Sequence, residues 1–167
     1  MSRPRVYLET SFISYLAAAR QQRHSSDVNT AHRQLTSLRW WTQHRGQFEL
    51  FISEVVSKES ATGHPEAVRN RLQLLAFAQI LPEVSEIMEL AKRLVEPIGP
   101  LPRKADADAT HIAFASVYEC DYLLTWNFKH IANALLQPAL YRIVQSYGYQ
   151  PPILCTPEQL LAGDRDL

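Results

Sequence analysis

Glycine is scarce in this chain of 167 residues, with five in all, and cysteine is scarcer, with two. No strand-to-helix turn carries a glycine-rich phosphate loop, which argues against a nucleotide-binding fold of that type. Cys120 and Cys155 sit apart in apolar stretches, without the close spacing of a zinc or redox motif, and read as reduced core thiols. No apolar run approaches the length of a membrane span, and no apolar signal region follows Arg3 and Arg5. The expectation is a cytoplasmic protein with no membrane association. Net charge is absent too, 17 basic side chains balancing 17 acidic ones, so composition alone does not announce a nucleic-acid binder. With 46% apolar residues, 20% charged ones and no repeat, the chain suits one core, and residues 1–167 are expected to form a single domain.

The charge that is present is unevenly spread. Residues 1–46 carry seven arginines against Glu9 and Asp27, a balance of +5, and the remainder carries −5. A basic flank beside an acidic body is compatible with a phosphate ligand held near a bound metal, and equally with a solvated helix face.

Arg5 to Leu8 has strand character, and Phe12, Ile13 and Leu16 then switch to helical spacing across the turn Glu9-Thr10-Ser11. Asp27 is placed to cap a helix running to about Arg45, with Val28, Ala31, Leu35 and Leu38 on its apolar face. Phe48 to Ile52 reads as a second strand, and Ser53 as the cap of a helix carrying Val55, Val56 and Glu59 that Gly63 stops. Core helices are expected after Pro65 and around Ile87 to Val95, with a short strand at Gln79 to Leu81 between them. Asp106 opens a helix lined by Ala109, Ile112, Ala113 and Ala115, and Tyr122 to Thr125 is a buried strand. Ile131 to Tyr147 reads as helix interrupted at Pro138, Ile153 to Cys155 as a last strand, and Thr156-Pro157-Glu158-Gln159 as a capping box. This alternation predicts an α/β fold of three layers, α/β/α, around a mainly parallel sheet of four or five strands.

Ligands of such sheets bind beyond the carboxyl ends of the strands, where Glu9 and Asn127 fall. The helix opened by Asp106 leads straight into strand 122–125 and runs antiparallel to it, so Asp108 lies at the same edge as Asn127. Glu59 sits roughly 9 Å along its helix from Ser53 and leans back toward that rim, since helical side chains tilt toward their own N-terminus. Glu54 precedes Lys58 by four positions and reads as a surface ion pair. Three carboxylates at one rim, Glu9, Glu59 and Asp108, repel one another, and no basic residue adjacent in sequence neutralises them all. A divalent cation resolves that conflict, and an all-oxygen donor set favours Mg²⁺ or Mn²⁺. Singly, each acid also has a plain structural role, as a helix-start charge or a turn residue.

At these residues the chain resembles the PIN-domain family and, within it, VapC-type toxins of toxin–antitoxin pairs. The resemblance lies in Val6-Tyr7-Leu8-Glu9-Thr10-Ser11, in Ile52-Ser53-Glu54-Val55-Val56-Ser57-Lys58-Glu59, and in Asp108-Ala109-Thr110-His111 with Leu123-Leu124-Thr125-Trp126-Asn127. It implies a PIN-like fold and a Mg²⁺- or Mn²⁺-dependent endoribonuclease. On that pattern Glu9, Glu59, Asp108 and Asn127 are catalytic, with the three acids as metal ligands. It also implies an RNA substrate, a cognate antitoxin protein and a homodimer. Ser11 and Thr125 are secondary candidates through their hydroxyls, His111 through its place after Asp108, and Asp106 if the helix starts in a different register. Two features depart from the pattern: Glu9 stands where aspartate is usual, and Asn127 replaces an aspartate of many relatives. They keep open a second reading, a catalytically weak PIN-like module that binds RNA or a protein. Trp40 and Trp41 read as core or interface packing, with base stacking as the alternative.

Overall fold

The computed structural model describes residues 2–161; Met1 and residues 162–167, the ends of the expected 1–167 domain, lie outside the described residues. Five strands, β1 (Arg5–Leu8), β2 (Glu49–Ser53), β3 (Gln79–Leu81), β4 (Tyr122–Leu124) and β5 (Ile153–Cys155), lie in the order β3-β2-β1-β4-β5. Every pair is parallel, with Val6 beside Leu50 on one side and Tyr122 on the other. Central β1 is apolar at three successive positions because both its faces are covered: Val6, Tyr7 and Leu8 are all fully buried.

The crossovers from β1 to β2 and β2 to β3 run one way across the sheet, and those from β3 to β4 and β4 to β5 run the other. Right-handed crossovers then put the helices of the first two connections on one face and those of the last two on the other. On one face α1 (Thr10–Arg20) packs against α2 (Val28–Gln43) and α4 (Pro65–Leu75), with the short α3 (Glu54–Ser60) beside them. On the other, α5 (Ser85–Leu94) packs against α6 (Asp106–Val117) and α7 (Gln137–Ser146). The short α8 (Pro157–Leu161) returns to α2, and the Gln159 side chain accepts from Thr156 N–H at 2.9 Å, one half of the expected capping box. This is the three-layer α/β/α arrangement expected from the sequence.

Caps fall where expected. Asp27 accepts from Thr30 N–H at 2.7 Å, Ser53 from Val56 N–H at 3.4 Å, and Gly63 takes the left-handed φ of +113° beyond α3. Three expectations are corrected. Helix α2 buries Gln34, Thr36, Ser37, Trp40 and Trp41, while Val28 and Leu35 are exposed. Its inner face is thus the one carrying the tryptophans, and the small polar groups beneath them are hydrogen-bonded: Trp126 Nε1–H donates to Ser37 Oγ at 2.7 Å. Helix α4 is a surface helix that buries only Leu74, because α1, not the sheet, lies beneath it. Pro138 does not interrupt a helix but sits in the first turn of α7, where its missing N–H has no helical acceptor to lose.

Candidate metal and nuclease site

The order of the strands reverses between β1 and β4, so a crevice opens at their carboxyl ends. Glu9 follows β1 directly and caps α1 through its main chain, its carbonyl accepting from Phe12 N–H at 3.1 Å. Its side chain is 95% buried, a costly place for a carboxylate, and hydroxyls meet it there. Thr125 Oγ1 donates to Glu9 Oε2 at 2.7 Å and Ser11 Oγ donates to the same oxygen. Each hydroxyl is oriented in turn by a backbone amide after β4, Trp126 N–H to Ser11 Oγ at 2.8 Å and Asn127 N–H to Thr125 Oγ1 at 2.9 Å.

Glu59 reaches the crevice from the last turn of α3. Its Oε2 accepts from Thr10 Oγ1 and is 3.1 Å from His111 Nε2. His111 is almost fully buried, and its Nδ1 lies 2.8 Å from the Tyr7 hydroxyl, which also contacts Ser53 Oγ at 2.7 Å. This hydrogen-bonded row serves either protonation state of the imidazole. With Tyr7 donating to Nδ1, Nε2–H donates to Glu59; with His111 protonated, Tyr7 accepts from Nδ1–H and donates to Ser53. Burial pulls the His111 pKa down, but the hydrogen bond to Glu59 and the charges of Glu9, Glu59 and Asp108 outweigh it and raise it. At Glu59 burial acts upward, and the hydrogen bond and charge of His111 with the Thr10 hydroxyl overcome it to lower the pKa.

Candidate ligand atoms of Glu9, Glu59 and His111 all lie within 4.8 Å of one another. Among the described residues neither Glu9 nor Glu59 is paired with a lysine or arginine, and each carboxylate keeps Oε1 free of protein donors. Two carboxylates so close, with one bare oxygen each, suit a hard cation, so the donor set fits the expected metal. Asp108 stands at the start of α6 beside this group. Its Oδ1 accepts from Asn127 Nδ2–H at 2.9 Å and its Oδ2 lies 2.7 Å from His130 Nδ1. Asn127 Oδ1 is occupied by the amides of Lys129 and His130, at 3.2 and 3.0 Å. Asp106 is exposed at the first position of α6, and its side chain makes no bond to the others. Glu54 pairs with Lys58 at 3.8 Å on the surface, as the spacing indicates.

Sequence reasoning gave Thr10, Tyr7 and His130 no role in the site and read Ser53 only as a helix cap. A tyrosine inside a central buried strand needs a partner for its hydroxyl, and that was the available signal for Tyr7. His130, three residues beyond Asn127, carries no such signal.

The fold is a PIN-like α/β/α arrangement, and an acidic centre lies at the sheet's switch point. No family model and no curated protein matches the sequence. Among solved structures, the chain is similar to VapC20 of Mycobacterium tuberculosis, a toxin that cleaves the sarcin-ricin loop. Identity is 18%, over 75% of this chain and 92% of that one, with a TM-score of 0.53. It also aligns with VapBC2 of Rickettsia felis bound to a promoter DNA fragment, at 15% identity over 74% of this chain and 89% of that one, TM-score 0.49. The VapC20 likeness establishes a shared fold.

Proposed function

We propose that the protein is a divalent-metal-dependent endoribonuclease, the toxin of a toxin–antitoxin pair, acting as a single PIN-like domain in the cytoplasm. The observation that carries this reading is the meeting of Glu9 and Glu59, from the end of β1 and from α3, within 4.8 Å and, among the described residues, without a lysine or arginine to neutralise them. The motif resemblance supports RNA as the substrate class, and the fold shared with VapC20 makes the sarcin-ricin loop the first target to try. A cognate antitoxin that covers the crevice and a homodimer belong to the same proposal.

Glu9 and Glu59 would hold Mg²⁺ or Mn²⁺, with Asp108 entering if it exchanges a hydrogen bond for a ligand bond. When bound, such an ion lowers the pKa of water and stabilises charge building on a phosphodiester. The chain's own groups position the acids: Thr10, Ser11 and Thr125 fix one oxygen of each glutamate and aim the other into the crevice. Asn127 and His130 hold the Asp108 carboxylate, poised to accept a proton from attacking water.

The test is incubation of the purified protein, free of partners, with a mixed RNA pool in Mn²⁺ or EDTA, alongside Asp108→Asn. Cleavage with Mn²⁺, lost in EDTA and reduced at least about 100-fold in the variant, is the expected outcome. EDTA-resistant cleavage, or an unchanged variant, rejects it. Asp108, with both oxygens engaged by Asn127 and His130, favours one second reading, a module that binds RNA without cutting. Binding without cleavage by the wild type is its signature.

A further inference from the structure

The residue after Asn127 is Phe128, 45% exposed although its neighbour Trp126 is buried. A single exposed aromatic is ordinary, but this one is arranged. The Arg33 guanidinium lies 5.1 Å from the Phe128 ring centroid, 5.7 Å from that of Tyr15 and 6.0 Å from that of Trp126. Trp126 lies edge-on to Tyr15 at 6.3 Å and tilted against Phe128 at 6.1 Å. Arg33 spends one N–H on the Tyr15 hydroxyl at 3.0 Å and pairs with no carboxylate among the described residues. Asp27, whose charge it feels, is committed to capping Thr30. A cation covering one side of a half-exposed ring, with N–H donors left over, and exposed Lys129 next in the chain, has the chemistry of a surface for a base and its phosphate.

The surface is tied to the acidic crevice through the backbone. Trp126 N–H donates to Ser11 Oγ, which donates to Glu9, and Asn127 Nδ2–H donates to Asp108, so the loop that carries the aromatic group is hydrogen-bonded toward both acids. We propose that Phe128 and Arg33 form a stacking platform for one base of single-stranded RNA entering the crevice, with Arg33 and Lys129 meeting the adjoining phosphate. The proposal rests on the ribonuclease reading for its ligand and adds to it the place where a nucleotide is gripped beside the cut.

The experiment uses short oligoribonucleotides carrying 2-aminopurine at successive positions, with EDTA to prevent cleavage, and then steady-state cleavage with Mn²⁺. With wild type, 2-aminopurine fluorescence is quenched at one position. Phe128→Ala removes the quenching and weakens binding roughly tenfold, the size of one base–aromatic stack. Phe128→Tyr restores both, and Arg33→Gln weakens binding and lowers its salt dependence. In cleavage, Phe128→Ala raises KM more than it lowers kcat. Phe128→Ala that keeps wild-type quenching and affinity, in a protein that cuts RNA, overturns the platform and leaves the nuclease. Wild type that binds RNA without cutting it overturns the nuclease, and the quenching still decides the platform. Wild type that neither binds nor cuts overturns both, and loss of antitoxin affinity alone in Phe128→Ala would assign the surface to a protein partner instead.

Discussion

Tyr7 is the residue on which the buried half of the site turns. Its hydroxyl joins Ser53 to His111, and His111 in turn holds Glu59. Tyr7→Phe keeps the ring against Phe114, 6.4 Å away, but leaves buried His111 Nδ1 without its Tyr7 partner. A buried polar atom left unpaired costs about 1–3 kcal/mol, so urea unfolding should register a loss of that size. An unchanged midpoint would mean the imidazole is held by Glu59 alone. The two cysteines permit a second prediction. Burial pushes both thiols up to about 12 from an ordinary value of 9.0. The folded pKa lies above the unfolded one, so these groups favour the folded state fully below pH 9.0 and progressively less as pH rises toward about 12. Alkylation by iodoacetamide near pH 8 should therefore be slow in the native protein and complete after denaturation, because the thiolate is the nucleophile. Rapid native labelling of either cysteine would contradict this burial.

At the scale of elements, periodicity identified the strands and most helices but not which face of α2 turns inward. Val28, Ala31, Leu35 and Leu38 form a regular apolar row, yet the helix is oriented by Trp40, which lies edge-on to Phe12 at 5.5 Å in the core. Two tryptophans outweigh one row of smaller side chains in buried area, and pattern counting weighs them equally. The buried polar residues there are hydrogen-bonded, Gln34 and Thr36 to Ser25 and His32 nearby, and Ser37 to Trp126 from a distant segment, which spacing cannot reveal. Ser37→Ala removes that acceptor and should cost about 1–3 kcal/mol in chemical denaturation, whereas Leu35→Ser on the exposed row should stay within about 0.5 kcal/mol. The reverse ranking would restore the face read from the sequence. The rim residues were legible for the opposite reason. Glu9, Asp108 and Asn127 sit at strand and helix ends, whose placement follows from topology. Of the groups that hold them, Ser11, Thr125 and His111 were candidates from their places beside the acids, whereas Thr10 and His130 depend on side-chain direction, which topology leaves open.

For the molecule as a whole, the acidic centre is an electrostatic load that a bound cation would turn into a tie. Glu9 stands at the end of the central strand and Glu59 on α3, and among the described residues the two charges are relieved by hydroxyls and His111. An ion that binds the folded chain and not the unfolded one stabilises it by about 2.7 kcal/mol at a concentration 100-fold above Kd. Mn²⁺ should therefore raise Tm in a saturable way that EDTA reverses. Glu59→Gln separates this from general ionic effects. With one charge removed from the crevice, the variant should lose the Mn²⁺-dependent rise, while Glu54→Gln, altering only the exposed pair with Lys58, should keep it in full. Calorimetric titration with Mn²⁺ checks the same pair directly. Equal responses in the two variants would place any bound ion away from Glu9 and Glu59, and the acids would then be held by their hydroxyls for structural reasons alone.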